Sequence, residues 1–220
     1  MTETPSAPAL LRLLAWLSPA FPTGAFAYSH GIEWAVESRD IIDGKTLCCW
    51  IAEVLTYGAG RSDTILLRHA YRNVRDAPAL AEIAALAEAA IPSRERASES
   101  LSQGTAFLLA ARAWDCPVMP DPVAYAVAVG GLAGWHRIDE DIVAAAYLQA
   151  FTSNLISAAV RLVPLGQSTG LQVLAALELT ILLVAHETHD AALDDIGGCA
   201  FRSDIAAMRH ETQYTRLFRS

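Results

Sequence analysis

The sequence predicts an all-α fold, a single-domain bundle of roughly nine or ten helices. Three observations carry that expectation. Apolar residues recur at helical spacing, as in Leu148, Phe151, Leu155, Ala159 and Leu162 and again in Leu171, Leu174, Leu177, Ile181 and Val184, so each segment presents one apolar stripe. Proline and glycine cut the chain into helix-sized lengths at Pro78, Pro92, Pro117 with Pro120, Pro164 with Gly166, and Gly197 with Gly198. Strand-like alternation is confined to Tyr125–Val129, which is brief and follows a good helix start, so it too reads as helix.

Taken in chain order, the first long charge-free stretch runs from Leu13 to Ile32, but Pro19, Pro22, Gly24 and Gly31 make it a helix end followed by a loop. That loop, Ser18 to Gly31, mixes turn formers with the aromatics Phe21, Phe26 and Tyr28. Large apolar side chains on a loop need cover, so it is either tucked over the core or docked on a partner. Asp43 is placed to cap the helix bearing Leu47, Trp50, Ile51 and Val54. Asp121 followed by Pro122 reads as an N-cap with proline in the first helical position. The carboxylates of Asp139, Glu140 and Asp141, like those of Asp194 and Asp195, precede helix starts, where negative charge suits the helix dipole. The second charge-free stretch, Ile142 to Val160, gathers Gln149, Thr152, Ser153, Asn154 and Ser157 on one side, which fits a core helix better than a membrane span.

Composition narrows the function classes. Of the 220 residues 53% are hydrophobic, and the mean hydropathy is +0.29, above the usual share of about 45–50%. With no membrane span, the surplus belongs in a rich core or on surfaces that partners cover. A net charge of −8 argues against nucleic acid, although Arg209, Arg216 and Arg219 give the C-terminal end a local basic character. The N-terminal residues show no basic-then-apolar leader, and Cys48, Cys49, Cys116 and Cys199 form no CxxC pair, so a reducing cytoplasm is expected.

Chemistry-bearing motifs are few. Gly166-Gln-Ser-Thr-Gly170 matches the letters of a hydrolase nucleophile elbow, but no strand precedes it, and Ser168 is better read as a helix N-cap. His186 and His189, three residues apart beside Glu187 and Asp190, could put two metal ligands on one helix face, though two histidines at a helix end are more often a solvated terminus. His30, His69, His136 and His210 stand alone in the sequence. Neither a GxxxxGK[ST] nor a GxGxxG loop occurs, so the chain has no nucleotide cradle or cofactor site of its own.

The segment Leu10 to Glu37, with its SPAFPTGAFAYSHGIEWAVE core, resembles the N-terminal signature of the UreF family of urease accessory proteins. Two further blocks agree in order and spacing, Ala158 to Gln167 and His210 to Ser220, and Glu99, Ser100 and Gly104 match a weaker central pattern. His30 stands where the family usually has glutamine, which leaves room for a nickel ligand near the aromatic loop, and Thr215 where it often has serine. The resemblance implies a flexible N-terminus at 1–8, a helical domain at 9–208 and a partner-binding tail at 209–220. It implies a non-enzymatic chaperone that pairs as a homodimer, binds the accessory protein UreD (UreH), and recruits the GTPase UreG to deliver nickel to apo-urease. Nickel and GTP would then act through the partners.

The same resemblance places Glu33 and Arg161 on the surface facing the GTPase, as charges. It places Tyr214, Arg216, Leu217, Phe218 and Arg219 in a tail that becomes ordered on binding UreD, with Glu211 preceding them in the partner-binding set. Phe21, Pro22, Gly24, Phe26, Tyr28, Ser29 and Gln167 complete the expected partner-binding set. Loss of Tyr214 to Ser220 is expected to spare folding. Two other readings stand beside this one: a helical hydrolase using Ser168 with His186 or His189, and a nickel store built on those two histidines.

Overall fold

The computed structural model describes residues 6–220, so residues 1–5 of the stretch expected to be flexible, 1–8, lie outside the described residues. Among the described residues there are ten α-helices and two 3-10 turns. The helices are α1 (Ala7–Trp16), α2 (Ile32–Glu37), α3 (Gly44–Tyr57), α4 (Ala59–Asn73), α5 (Ala77–Ala89), α6 (Arg94–Ala111), α7 (Tyr125–Trp135), α8 (Glu140–Leu162), α9 (Gly166–Glu187) and α10 (Phe201–His210). The turns lie at Ala25–Ala27 and Leu193–Asp195.

Several starts are fixed by caps. Ser6 accepts from the Ala9 amide, so α1 begins within the stretch expected to be flexible. Asp43 and Thr46 form a reciprocal capping box on α3, and Asp139 accepts from the Asp141 and Ile142 amides at the head of α8. Two expected caps are not used. The Asp121–Pro122 peptide is cis and lies before α7, which starts at Tyr125 after an extended Ala124. Ser168 sits inside the first turn of α9, behind Gly166, whose φ of 71° starts the helix earlier.

Helix α7 is the hub of one half of the core. Every residue from Ala126 to Gly134 is buried. Glycine allows this, because a Cβ at Gly130 would lie 2.1 Å from the Leu67 carbonyl oxygen and one at Gly134 2.3 Å from that of Tyr71. The backbones of α4 and α7 therefore touch at two successive turns. Gly104 does the same for α6, where a Cβ would meet the Val123 oxygen at 2.0 Å. The second half of the core gathers α2, α3, α8 and α9 around Leu47, Ile51, Leu148, Leu155 and Leu177. Helix α8 belongs to both halves, giving Val143 and Tyr147 to the first and Ala144, Leu148 and Ala159 to the second.

A buried cation ties the halves together. Arg68 on α4 donates to Glu140 and Asp141 at 2.7 Å each and to the Ala185 carbonyl at 2.7 Å, while Arg72 reaches Glu140 and the His189 carbonyl. On length and composition α8 and α9 could each cross a membrane, yet half of the apolar window of α8 is enclosed by the bundle. Helix α9 buries one face on α3 and α8 and leaves Leu171, Leu179, Leu182 and Leu183 exposed.

Candidate functional site

The aromatic loop resolves the choice its composition left open by facing both ways. Phe21 turns inward, its ring centroid 5.4 Å from that of Phe107 and 6.2 Å from that of Trp114. Phe26 turns outward and is largely exposed. Left-handed backbone makes the reversal: Gly24 (φ 76°) opens the 3-10 turn, and His30 (φ 58°) with Gly31 (φ 79°) redirects the chain into α2. At Gly31 the missing Cβ also admits α10, since that atom would lie 2.8 Å from the Ala207 nitrogen.

After α10 the chain returns along this loop as an irregular tail that closes over buried polar side chains. The Glu33 carboxylate on α2 accepts from the Leu217 amide at 2.7 Å and the Phe218 amide at 3.0 Å. The Arg219 amide donates to the Ala27 carbonyl at 2.8 Å, and both the amide and the hydroxyl of Ser29 donate to the main-chain oxygen of Ser220. The Ser220 hydroxyl donates to Glu99 at 2.7 Å. Phe218 and Ser220 are buried.

Beneath the tail lies His210, fully enclosed, with Nδ1 2.6 Å from Glu95 and Nε2 3.0 Å from Glu33. Each ring nitrogen thus faces a carboxylate, one from α6 and one from α2. Arg216 reaches the other oxygen of Glu95 at 2.7 Å, and Glu211 accepts from the Arg94 and Glu95 amides, serving as an anionic cap on α6 from 117 and 116 residues away.

Deeper still, Arg96 and Glu99 form a close ion pair on α6. Burial alone would raise the Glu99 carboxyl, but the Arg96 guanidinium and the His30 ring hold it well below the usual range. Burial, reinforced by the Arg96 charge, pushes His30 down to about 4, so that ring is neutral near pH 7. Asp63, which accepts from the Tyr147 hydroxyl at 2.9 Å, is pushed up by burial to about 6. A cavity of about 200 Å³ opens beside His30 and is lined on its polar side by Asp63, Arg96, Ser203 and Asp204.

These placements change the reading of several residues. Glu33 is not a charge offered to solvent: it is 6% exposed, with both oxygens engaged by the tail and His210. Phe218 is buried, so removal of Tyr214 to Ser220 would strip hydrogen-bond partners from Glu33, Glu99 and Ser29, a cost that the expectation of spared folding did not include. Tyr214, Leu217 and Arg219 remain outward, with Phe26 and Pro22, and Tyr28 is half-buried. Gln167 is exposed in the first turn of α9, and the hydrogen bonds of the loop and tail do not include it.

The alternative chemistry does not assemble. Ser168 and His186 lie 18 residues apart on one helix, roughly 27 Å at the α-helical rise, so they cannot form a dyad. His189 has turned away to Asp141, at 2.9 Å, leaving His186 exposed without it. Among the described residues no three His, Cys, Asp or Glu side chains are grouped to hold a metal ion, and His30 stands within the tail cluster, not in such a group.

Sequence reasoning missed Glu95, Arg96 and the partners of His210. One signal was available. Glu95 and Glu99 are four residues apart with Arg96 between them, which puts two carboxylates and a guanidinium on neighbouring faces of α6 in a helix that must pack against others. Nothing local says that a histidine 115 residues later enters between them.

The fold and this site define a class: a helical bundle in which an N-terminal loop and a C-terminal tail are locked together by buried ions to make one outer face. Relatives place it within that class. The profile of the UreF family matches residues 41–178. Urease accessory protein UreF of Mesorhizobium japonicum is 50% identical over the whole of both chains, and that of Rhizobium etli 48% identical over the same extent. The UreF of Bradyrhizobium sp. (strain BTAi1) is 51% identical, covering 97% of this chain and 92% of its own. The chain belongs to the UreF family of urease accessory proteins.

Proposed function

We propose that the chain is a non-enzymatic maturation factor for urease, working in the cytoplasm as a homodimer. In this reading it binds UreD (UreH) and recruits the GTPase UreG, so that nickel is delivered to apo-urease while the chain itself holds no cofactor. The observation that carries the reading is the loop–tail face. Its underside is fixed by Glu33, Glu95, Glu99 and His210, while Phe26, Tyr214 and Leu217 are left largely exposed. Ordering large apolar side chains on an irregular surface costs conformational entropy, and a partner that buries them recovers it as hydrophobic contact.

The test is association on a sizing column. The chain, mixed with UreD and apo-urease, is expected to co-elute with them, and Tyr214→Ala with Leu217→Ala is expected to abolish co-elution while leaving the unfolding midpoint within about 0.5 kcal/mol, as for exposed substitutions. Co-elution of the double variant at the parental level would show that the face is not the contact.

A further inference from the structure

Arg161 occupies the last turn of α8, directly behind the seam between loop and tail. No carboxylate among the described residues lies within ion-pair reach of it. Its guanidinium lies instead over two aromatic rings, 3.7 Å from the centroid of Phe26 in the loop and 4.2 Å from that of Phe218 in the tail. It also donates from Nη2 to the Phe26 carbonyl at 2.9 Å, and from Nε to the Ser157 carbonyl of its own helix at 3.2 Å. One rigid helix thus grips two irregular segments through a single side chain. Both segments carry the outward residues of the face, Phe26 on one side and Leu217 on the other.

We infer that Arg161 is a positioning residue that couples loop to tail, so that loosening or seating either segment biases the other. The planar guanidinium suits this, because it stacks on rings and keeps a hydrogen bond at its edge, whereas an ammonium can do only one of these well. The coupling belongs to the chain alone. Its use, carrying the effect of a partner on the tail across to the loop, rests on the docking reading above and follows the reciprocity of linked sites.

Hydrogen exchange on the full chain tests it. In the Arg161→Ala variant the tail amides Leu217, Phe218 and Arg219 and the loop amides Ala27, Tyr28 and Ser29 are expected to exchange about tenfold faster together, while α7 amides are unchanged. Arg161→Lys is expected to recover part of that protection. Phe26→Ala, which removes one of the two rings under the Arg161 guanidinium, is expected to speed exchange in the tail of the parent and to add nothing in the Arg161→Ala background. Loosening of the loop alone in Arg161→Ala, or effects of the two substitutions on the tail that simply multiply, would overturn the coupling. If the coupling is found but Arg161→Ala associates with UreD as the parent does, the docking reading fails and the coupling stands.

Discussion

Replacing Glu33 by glutamine removes one charge and almost no volume, so its effect isolates what the carboxylate does for the tail. In the parent, two oxygens accept from the Leu217 and Phe218 amides at 2.7 and 3.0 Å and from His210 Nε2 at 3.0 Å. Hydrogen bonds to a charged group are worth about 1.5–3 kcal/mol each, and glutamine keeps one acceptor while turning an NH2 towards a second donor. A net loss of about 3 kcal/mol in tail docking follows, allowing for bonds the freed amides make to water. Since 1.4 kcal/mol is a factor of ten, exchange of the Leu217 and Phe218 amides should accelerate by about a hundredfold. Trypsin should cut after Arg216 and Arg219 well before it cuts the bundle. Exchange at Leu217 and Phe218 within threefold of the parent would refute the reasoning, because it would mean that side-chain packing of Phe218, not Glu33, holds the tail.

Other expectations concern the buried charges and the core. His30, held near 4, favours the fold fully above its unfolded value of 6.5, and that contribution, about 3 kcal/mol, is lost as pH falls from there towards 4. His30→Asn should therefore flatten the acid side of a urea-midpoint profile between those values; an unchanged slope would assign acid loss to other groups. Asp63 acts in the opposite sense: with its carboxyl raised to about 6, its contribution is whole below 3.8 and lost as pH rises through 6. Asp63→Asn should accordingly gain about 1–3 kcal/mol over the parent at pH 7 and little at pH 4. Gly130→Ala, which drives a Cβ onto the Leu67 carbonyl, should cost about 3 kcal/mol in thermal denaturation, and a midpoint within a degree of the parent would disprove the close approach of α4 and α7. Arg68→Met should cost about 1–3 kcal/mol by removing a charged donor from Glu140, Asp141 and the buried Ala185 carbonyl, a loss that calorimetry would detect.

Helical periodicity made the bundle legible from the sequence, because a stripe of Leu148, Leu155 and Ala159 has the same period whether or not its partner is known. Caps were legible where one side chain meets its own backbone, as at Asp43, and not where a neighbouring residue decides, as at Ser168 behind the left-handed Gly166. The loop and tail were found by resemblance, with Phe26 and Tyr214 placed on a surface. Their underside was not found. The resemblance placed Glu33 on a surface as a charge, and only the returning tail, 184 residues later, encloses it. The buried pairs Glu95–His210 and Glu33–His210 share this property: each partner is ordinary in its own sequence neighbourhood, and the pairing is a matter of tertiary path.

The seam between Ser29 and Ser220 also sets a clock. Its contacts join residues 191 positions apart, among the longest closures the chain makes, and they reward the fold only after the intervening helices have shortened the distance. During synthesis, α1 to α9 can pack while Glu33 still faces water. The loop keeps its freedom until the tail arrives. A chain halted before Leu217 would carry most of the bundle yet lack the outer face, so that surface forms only once the tail has returned to the loop.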